Sequence, residues 1–235
     1  MNSIEEKFEK GWYTLLSPFL KSKHFYNIGK QLKDEVRRGI SITPVFDDTF
    51  RCFKECPYSN LKVVMLGLDP YPQANTADGL AFSAKNNYGK EPKSLDYIIR
   101  AMEKDVYDGF GIGYNQEYMN PDLTRWARQG VLLLNSALST HVGKTGVHLN
   151  LWHPFIHYVF TMLAQYNTGI IFILLGANAK LWKPVINQKS NYILEASHPA
   201  SASYRGLEEW DCNKVFSKTN SILESNQGFN EKILW

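Results

Sequence analysis

The sequence predicts a three-layer α/β/α sandwich with a central four-stranded parallel sheet. Two observations support this prediction. The chain contains four short, continuous apolar runs, and such runs are typical of parallel strands covered on both faces. Longer segments with helical periodicity separate these runs, and this alternation favours a parallel sheet with helices on both sides. Since no repeat, low-complexity tract or Gly/Ser linker divides the 235 residues, one domain over 1–235 is expected.

The individual elements follow from the same patterns. Strands are predicted over 61–66, 131–134, 170–175 and 192–194, where apolar residues follow one another without a polar face. Helices are predicted where apolar residues recur three or four positions apart, over 4–20, 26–38, 94–105, 123–129, 154–165, 179–185 and 211–224. The charged segment KQLKDEVRRG (30–39) is interpreted as a solvated face of the second helix.

Composition excludes several classes of protein. Lysine and arginine outnumber aspartate and glutamate by only 26 to 23, so any basic binding face must be local. The three cysteines are too few for a disulfide framework, and Cys52 and Cys56 lack the second pair of a zinc ribbon, so reduced, buried thiols are expected. The N-terminal MNSIEEKFEKGW has no signal-peptide core, and no stretch reaches the roughly 18 apolar residues of a membrane span. We expect a soluble cytoplasmic protein without a membrane partner, or a nuclear one if its source is eukaryotic or viral.

A polar residue follows each predicted strand. Asp69 follows the first strand, Asn135 the second, Asn178 the third and His198 the fourth. Because open α/β sheets keep their ligand crevices at this edge, these side chains are expected to converge. Together they could bind a flat, hydrogen-bonding ring, with Phe82 stacked on its face.

Simpler interpretations exist for the same residues. Asp69 could be a solvated acid of a Pro-rich turn, and Asn135 a turn residue bonded to its own backbone. His198 could be a loop histidine, and Tyr71 and Phe82 could be core aromatics. Taken one at a time, these residues do not distinguish a functional site from ordinary turn and core positions.

Longer motifs favour the functional interpretation. In chain order they are KVVMLGLDPYP (62–72), DGLAFSA (78–84), DLTRWARQGVLLLNSALST (122–140), SHPASASYRG (197–206) and FSKTN (216–220). Through them the chain resembles the uracil-DNA glycosylases of family 1, the cellular repair type, from about residue 12 to residue 235. The resemblance implies a hydrolase of base excision repair that cleaves the N-glycosidic bond of uracil in DNA and leaves an abasic site. It also implies that the enzyme needs no metal or cofactor.

The resemblance implies a role for each pocket residue. Asp69 matches the acid that orients the attacking water, and His198 the histidine that donates to uracil O2 as charge develops there. Asn135 matches the residue that reads uracil, because its amide can pair with O4 and N3–H but not with the reversed pattern of cytosine. Tyr71 matches the aromatic that excludes the thymine 5-methyl group, and Phe82 the aromatic that stacks on the base.

Small polar loops are expected to hold the DNA while the nucleotide is extruded. Ser94 of EPKSL matches the serine of the family's Pro-rich loop, and the intercalation loop with its phosphate contacts should comprise Ser201, Ser203, Tyr204 and Arg205. Solvated loops are the simpler interpretation of the serines. Hydroxyl and N–H groups can bind phosphates without a large net charge. The expected partners of this monomer are single- or double-stranded DNA that contains uracil, and a protein inhibitor or replication protein.

Three departures from the family pattern bear on activity. Leu68 replaces the usual Gln, so it would contact uracil through its backbone N–H, and Pro72 replaces the usual His. GLDPYP therefore resembles the divergent poxvirus branch. The loop between His198 and Tyr204 is one residue short and lacks a leucine wedge, which predicts weaker extrusion of uracil from duplexes than from single strands. The alternative function is a glycosylase-fold DNA-binding or replication accessory module with weak or no catalysis.

Two other patterns do not support a cofactor. His153 and His157 have the i,i+4 spacing of a zinc-binding helix, but Pro154 lies between them and no Glu follows the first His. The glycines of GFGIG (109–113) follow a helical segment, which is the wrong order for a dinucleotide loop.

Overall fold

Parallel strands form the centre of the molecule. The fold is that of a computed structural model, which describes residues 3–87, 89–107, 120–186, 189–227 and 231–235. The strands of these residues are β1 (Ile42–Thr43), β2 (Val63–Gly67), β3 (Val131–Asn135), β4 (Thr140–His141), β5 (Ile171–Leu175) and β6 (Tyr192–Ala196). Four of them form one parallel sheet in the order β3-β2-β5-β6, and β1 pairs with β4 as a short antiparallel ladder.

Helices cover both faces of the sheet. In the described part of the chain they are α1 (Lys10–Leu20), α2 (Lys23–Arg37), α3 (Arg51–Glu55), α4 (Lys93–Tyr107), α5 (Thr124–Arg128), α6 (Leu149–Tyr166), α7 (Ala177–Lys180), α8 (Ala200–Tyr204) and α9 (Val215–Gln227). Strands β2, β3 and β5 are buried along their whole length, as the continuous apolar runs predict. The predicted fold class is therefore confirmed.

Several element boundaries differ from the predicted ones, for identifiable reasons. The helix predicted over 4–20 is interrupted: Ile4–Lys7 is a 3₁₀ helix, and α1 begins at Lys10, because Glu9 is extended and its side chain caps α1 by accepting from the Gly11 N–H. The last long helix begins at Val215 rather than 211, since Asn213 and Lys214 adopt positive φ angles of 53° and 55°.

Three further differences concern single helices. Helix α6 begins at Leu149 and continues through Pro154, whose missing N–H removes only one bond from a well-buried helix. The segment predicted as one helix over 179–185 is α7 followed by a separate 3₁₀ turn, Lys183–Val185. The short segment after His198, expected to be a loop, is the helix α8.

The interpretation of 30–39 as a solvated helix face is wrong for one residue. The side chain of Glu35 is buried, because it turns inward from α2 to hydrogen-bond with His141 and His148. The three cysteines are free and buried, as expected. No helix among the described residues is both long and apolar enough to cross a bilayer. The GFGIG segment lies outside the described residues.

The register of the sheet brings the ends of the strands together. Gly67, the last residue of β2, pairs with Asn135, the last residue of β3, and β6 ends at Ala196, two residues before His198. Since all four strands are parallel, the segments that follow them lie at one edge of the sheet.

Candidate active site

A cavity of about 830 Å³ opens at the carboxyl edge of the sheet. Its lining includes nearly all side chains predicted to serve the site: Leu68, Asp69, Tyr71, Phe82, Ser94, Asn135, His198, Ser201, Ser203 and Tyr204. Arg205 is exposed and does not line the cavity. The sequence pattern thus identified residues that share one cavity, although 135 positions separate Leu68 from Ser203.

Asp69 lies directly after β2 and is held by a distant loop. Its Oδ2 accepts a hydrogen bond of 2.5 Å from the backbone N–H of Gly146. Burial raises the pKa of Asp69 above its usual value, and the Gly146 N–H and the nearby Thr140 hydroxyl offset part of this effect. The carboxylate is therefore half-buried and oriented, with one oxygen bound to the protein.

Asn135 ends β3 with its side chain over the backbone of Gly67. A Cβ at position 67 would lie 2.4 Å from Asn135 Oδ1, which is too close for any real contact, and 3.3 Å from Phe82 Cζ, which is tight. Glycine at the end of β2 is thus required for the amide to occupy its place. Among the described residues, the Asn135 amide has no hydrogen-bond partner, so its donor and acceptor remain available to a ligand.

Tyr71 and Phe82 form one wall of the cavity. The Tyr71 hydroxyl donates to the carbonyl oxygen of Phe82 at 3.0 Å, and Phe82 itself adopts a positive φ of 66°. Burial raises the pKa of the Tyr71 phenol, so it stays protonated and keeps this bond. The Tyr71 ring is therefore held against the backbone of Phe82 before any ligand binds.

His198 faces the cavity from the segment after β6, with its ring 6.0 Å from that of Phe82. The backbone N–H of Ala200 donates to His198 Nδ1 at 3.2 Å. This bond requires a lone pair on Nδ1, so the proton of the neutral ring is on Nε2. Burial lowers the pKa of His198 below its usual value, which favours this neutral form.

The loop that carries Phe82 rests on a buried ion pair that no sequence pattern predicts. Asp78 is fully buried; its carboxylate accepts from Leu80 N, Ser83 Oγ and Lys85 N at 3.1, 2.6 and 2.9 Å, and Arg51 lies 3.2 Å away. Asp78 belongs to the DGLAFSA motif, but nothing in the sequence pairs it with Arg51. Gly146 and Thr140 were missed for the same reason.

The fold and the cavity define a class of protein: a parallel α/β domain with a carboxylate, an amide and a neutral imidazole at the carboxyl edge of its sheet. A family model described as the Uracil DNA glycosylase superfamily matches residues 53–223. The chain belongs to this superfamily.

Relatives of nearly the same length align with almost the whole chain. The chain is 38% identical to the uracil-DNA glycosylase of Buchnera aphidicola subsp. Baizongia pistaciae, over 91% of this chain and 92% of that protein. It is 34% identical to the uracil-DNA glycosylase of Campylobacter jejuni strain 81-176, over 95% and 93%.

Solved structures share the fold. The crystal structure of mimivirus uracil-DNA glycosylase superposes with a TM-score of 0.85 at 24% identity, covering 100% of this chain and 89% of that one. The mimivirus Y322F variant, crystallised in complex with UGI, superposes with a TM-score of 0.86 at 24% identity, covering 100% and 91%.

Proposed function

We propose that this chain is a DNA-repair hydrolase that cleaves the N-glycosidic bond of uracil in DNA, releases free uracil and leaves an abasic site. The superfamily and the relatives named uracil-DNA glycosylase, which align over nearly the whole chain, support this activity. The structural observation that carries the proposal is the convergence of Asp69, Asn135 and His198 on one cavity.

Asp69 serves the sugar side of the reaction. Breaking the bond between deoxyribose C1′ and uracil N1 develops positive charge on the sugar. An ionised carboxylate in a half-buried site stabilises that charge more strongly than it would in water. The Gly146 N–H binds one carboxylate oxygen, which leaves the other oxygen to orient the attacking water.

His198 serves the departing base. As the bond breaks, negative charge develops on the uracil ring, and its O2 becomes a better acceptor. Because Nδ1 accepts from the Ala200 N–H, the Nε2–H is the donor that faces the base. A neutral imidazole is sufficient for this role, and it avoids burying a second charge in the cavity.

Asn135 and the aromatic wall select the base. The unpartnered Asn135 amide pairs with O4 and N3–H of uracil, and Phe82 stacks on the ring. Tyr71 occupies the space that a 5-methyl group would need, so thymine is excluded by size. Leu68 lines the cavity and contributes its backbone N–H; its carbonyl is fixed by a bond from the Ala137 N–H at 3.0 Å.

The rim of the cavity holds the DNA. Ser94, Ser201 and Ser203 contact phosphates through hydroxyl groups, and Arg205 contributes its charge from outside the cavity. Tyr204 ends α8 and is 89% exposed, so its ring is free to enter the base stack where the nucleotide has left. A tyrosine wedge would replace the leucine that the sequence lacks.

Finer assignments are part of the same proposal. The motif set supports a family 1 enzyme of the cellular type with a divergent, poxvirus-like GLDPYP segment. The enzyme acts as a monomer on single- or double-stranded DNA, in the cytoplasm or in the nucleus of a eukaryotic source. A mimivirus relative crystallised with UGI supports sensitivity to a protein inhibitor of that kind.

An assay of uracil release tests the proposal. Oligonucleotides with a single uracil, single- and double-stranded, are incubated with the protein and then treated with alkali, which breaks the strand at abasic sites. The wild type is expected to produce cleavage at uracil only. Asp69→Asn is expected to lower the rate at least about 100-fold, because it removes the charge that faces the sugar cation.

The matched control is Asp34→Asn, which makes the same change on an exposed residue of α2 and should retain full activity. Release of uracil by Asp69→Asn at the wild-type rate would contradict the assigned role. No release by the wild type would leave the alternative, a DNA-binding accessory module.

A further inference from the structure

Outside the cavity, a second polar cluster joins three distant parts of the chain. Its members are Glu35 of α2, His141 of β4 and His148, which precedes α6. One carboxylate oxygen and two imidazole nitrogens lie within 4.8 Å of one another. None of the three residues lines the active-site cavity.

The cluster is buried and its donor atoms converge. Glu35 is 5% and His148 1% exposed, and the His141 side chain is 16% exposed at the outer side. Glu35 Oε2 lies 3.1 Å from His141 Nε2 and 2.8 Å from His148 Nε2. Tetrahedral ligands at zinc, each about 2.0–2.2 Å from the ion, are about 3.3 Å apart. The two oxygen–nitrogen distances are a few tenths of an ångström shorter than this spacing, and the two nitrogens lie within 4.8 Å of each other.

Neighbouring groups orient two of the three side chains. Gln31 Nε2 donates to the other carboxylate oxygen, Glu35 Oε1, at 3.0 Å. His148 Nδ1 lies 2.9 Å from Ser139 Oγ, which also accepts from Trp152 Nε1 at 2.8 Å. A serine oxygen can accept two hydrogen bonds, so the His148 proton can reside on Nδ1 and leave the Nε2 lone pair for a metal. Metal-binding histidines usually have such a partner on the second ring nitrogen.

We propose that Glu35, His141 and His148 bind a Zn²⁺ ion, with water as the fourth ligand on the side where His141 reaches the surface. Two imidazoles and one carboxylate suit zinc better than Mg²⁺ or Ca²⁺, which prefer oxygen ligands. The proposed role is structural. The ion would connect α2 to the segment that contains Gly146, whose N–H holds Asp69.

Metal binding and thermal unfolding of the untagged protein test this proposal. After treatment with a chelator and its removal, titration with ZnCl₂ in a calorimeter is expected to show a site of one equivalent. At a free Zn²⁺ concentration about 100 times Kd, the Tm should rise by roughly 5–10 °C. Co²⁺ in place of Zn²⁺ should give the intense visible absorption of a four-coordinate site.

Variants locate the ion. His141→Gln should weaken Zn²⁺ binding by roughly 100-fold or more and abolish both the Tm rise and the Co²⁺ spectrum. Because His141 is the least buried ligand, this variant should fold; Glu35→Gln provides a second removal. The control is the double variant His153→Gln, His157→Gln, which removes the exposed histidine pair of α6 and should leave the site intact.

The proposal is overturned if the wild type binds no Zn²⁺ in the calorimeter. It is also overturned if the site survives His141→Gln with unchanged affinity, or if the α6 double variant abolishes it. The cluster would then be a hydrogen-bonded group of Glu35 with two neutral imidazoles.

Discussion

At the scale of single residues, burial shifts the pKa values of two residues of the same cavity in opposite directions. Burial raises the pKa of Asp69 and lowers the pKa of His198, because it disfavours the charged form of each. In the proposed reaction Asp69 acts when ionised and His198 when neutral. Both forms therefore coexist only above the pKa of each group, and this range extends to higher pH.

The pH profile of kcat/KM should have its acid limb between the usual pKa of an aspartate and that of a histidine. Because burial lowers the pKa of His198, activity should persist below the pH at which an exposed histidine takes up a proton. It should be lost before the pH falls to the usual pKa of an aspartate, because burial raises the pKa of Asp69. Rates of uracil release from a single-stranded oligonucleotide, measured across pH under kcat/KM conditions, check this expectation.

His198→Asn provides the control for this profile. The variant should be slower at every pH, and its acid limb, which Asp69 then sets alone, should still lie above the usual pKa of an aspartate. A wild-type limb in the ordinary histidine range that disappears in His198→Asn would contradict the lowered pKa of His198.

At the scale of secondary-structure elements, the end of β2 positions the end of β3. The pairing of Gly67 with Asn135 places the Asn135 amide in the space that the side chain of any larger residue at position 67 would occupy. Gly67→Ala should lower kcat/KM for uracil release about 100-fold, since a shift of about 1 Å in a positioning group has an effect of this size. The purified variant is assayed on the uracil oligonucleotides.

Gly29→Ala is the matched control for this change. Position 29 lies inside α2, and an added Cβ would have no atom within 4 Å. Activity should be unchanged and the free energy of unfolding should rise by about 1 kcal/mol, because alanine favours a helix more than glycine does. Unchanged kcat/KM in Gly67→Ala would mean that the Asn135 amide can move without lowering the rate of uracil release.

Helix α8 gives the second prediction at this scale. Tyr204→Ala should lower uracil release from duplex DNA by roughly 10-fold more than from single strands, because only the duplex has a stack to be filled. Single-turnover rates on the two substrates give the ratio. Tyr26→Ala, which removes an exposed tyrosine from α2, should leave the ratio unchanged. If Tyr204→Ala lowered the single-turnover rates on both substrates equally, Tyr204 would not act as a wedge in the base stack.

The sequence predicts the elements better than it predicts the contacts between distant segments. Period and apolar content locate the four strands within two residues, and the residue after each strand identifies the cavity. Hydrogen bonds such as Gly146 to Asp69, or Glu35 to His148, join positions separated by 77 and 113 residues. No local sequence pattern predicts them. Helix α8 was missed because five residues are too few for a helical period to be visible.

At the scale of the whole molecule, Arg51 connects three segments. Its guanidinium lies 3.2 Å from both Asp78 and Asp122 and 3.6 Å from Glu55. Arg51→Met should lower the free energy of unfolding by roughly 3–5 kcal/mol, because the buried Asp78 carboxylate would lose its counter-charge. Urea unfolding followed by circular dichroism measures this loss.

Two further variants test whether the loss of stability comes from the pair of Arg51 with Asp78. The double variant Arg51→Met, Asp78→Asn should be less destabilised than the sum of the single variants, since removing both charges leaves none buried alone. Lys104→Met, which breaks an exposed pair with Glu209, should have no measurable effect. A loss for Arg51→Met no larger than that of Lys104→Met would show that Asp78 is not held by this pair.

The hydrogen bond from Tyr71 to the Phe82 carbonyl has a consequence for base analogues. It holds Tyr71 in place from within the protein, so in the proposed pocket the acceptance of a pyrimidine would depend on the size of its 5-substituent rather than on its polarity. A 5-fluoro group, little larger than hydrogen, would fit, whereas a 5-bromo group, close to methyl in size, would not. The bond that is proposed to protect thymine would thus leave fluorinated uracil in DNA open to removal.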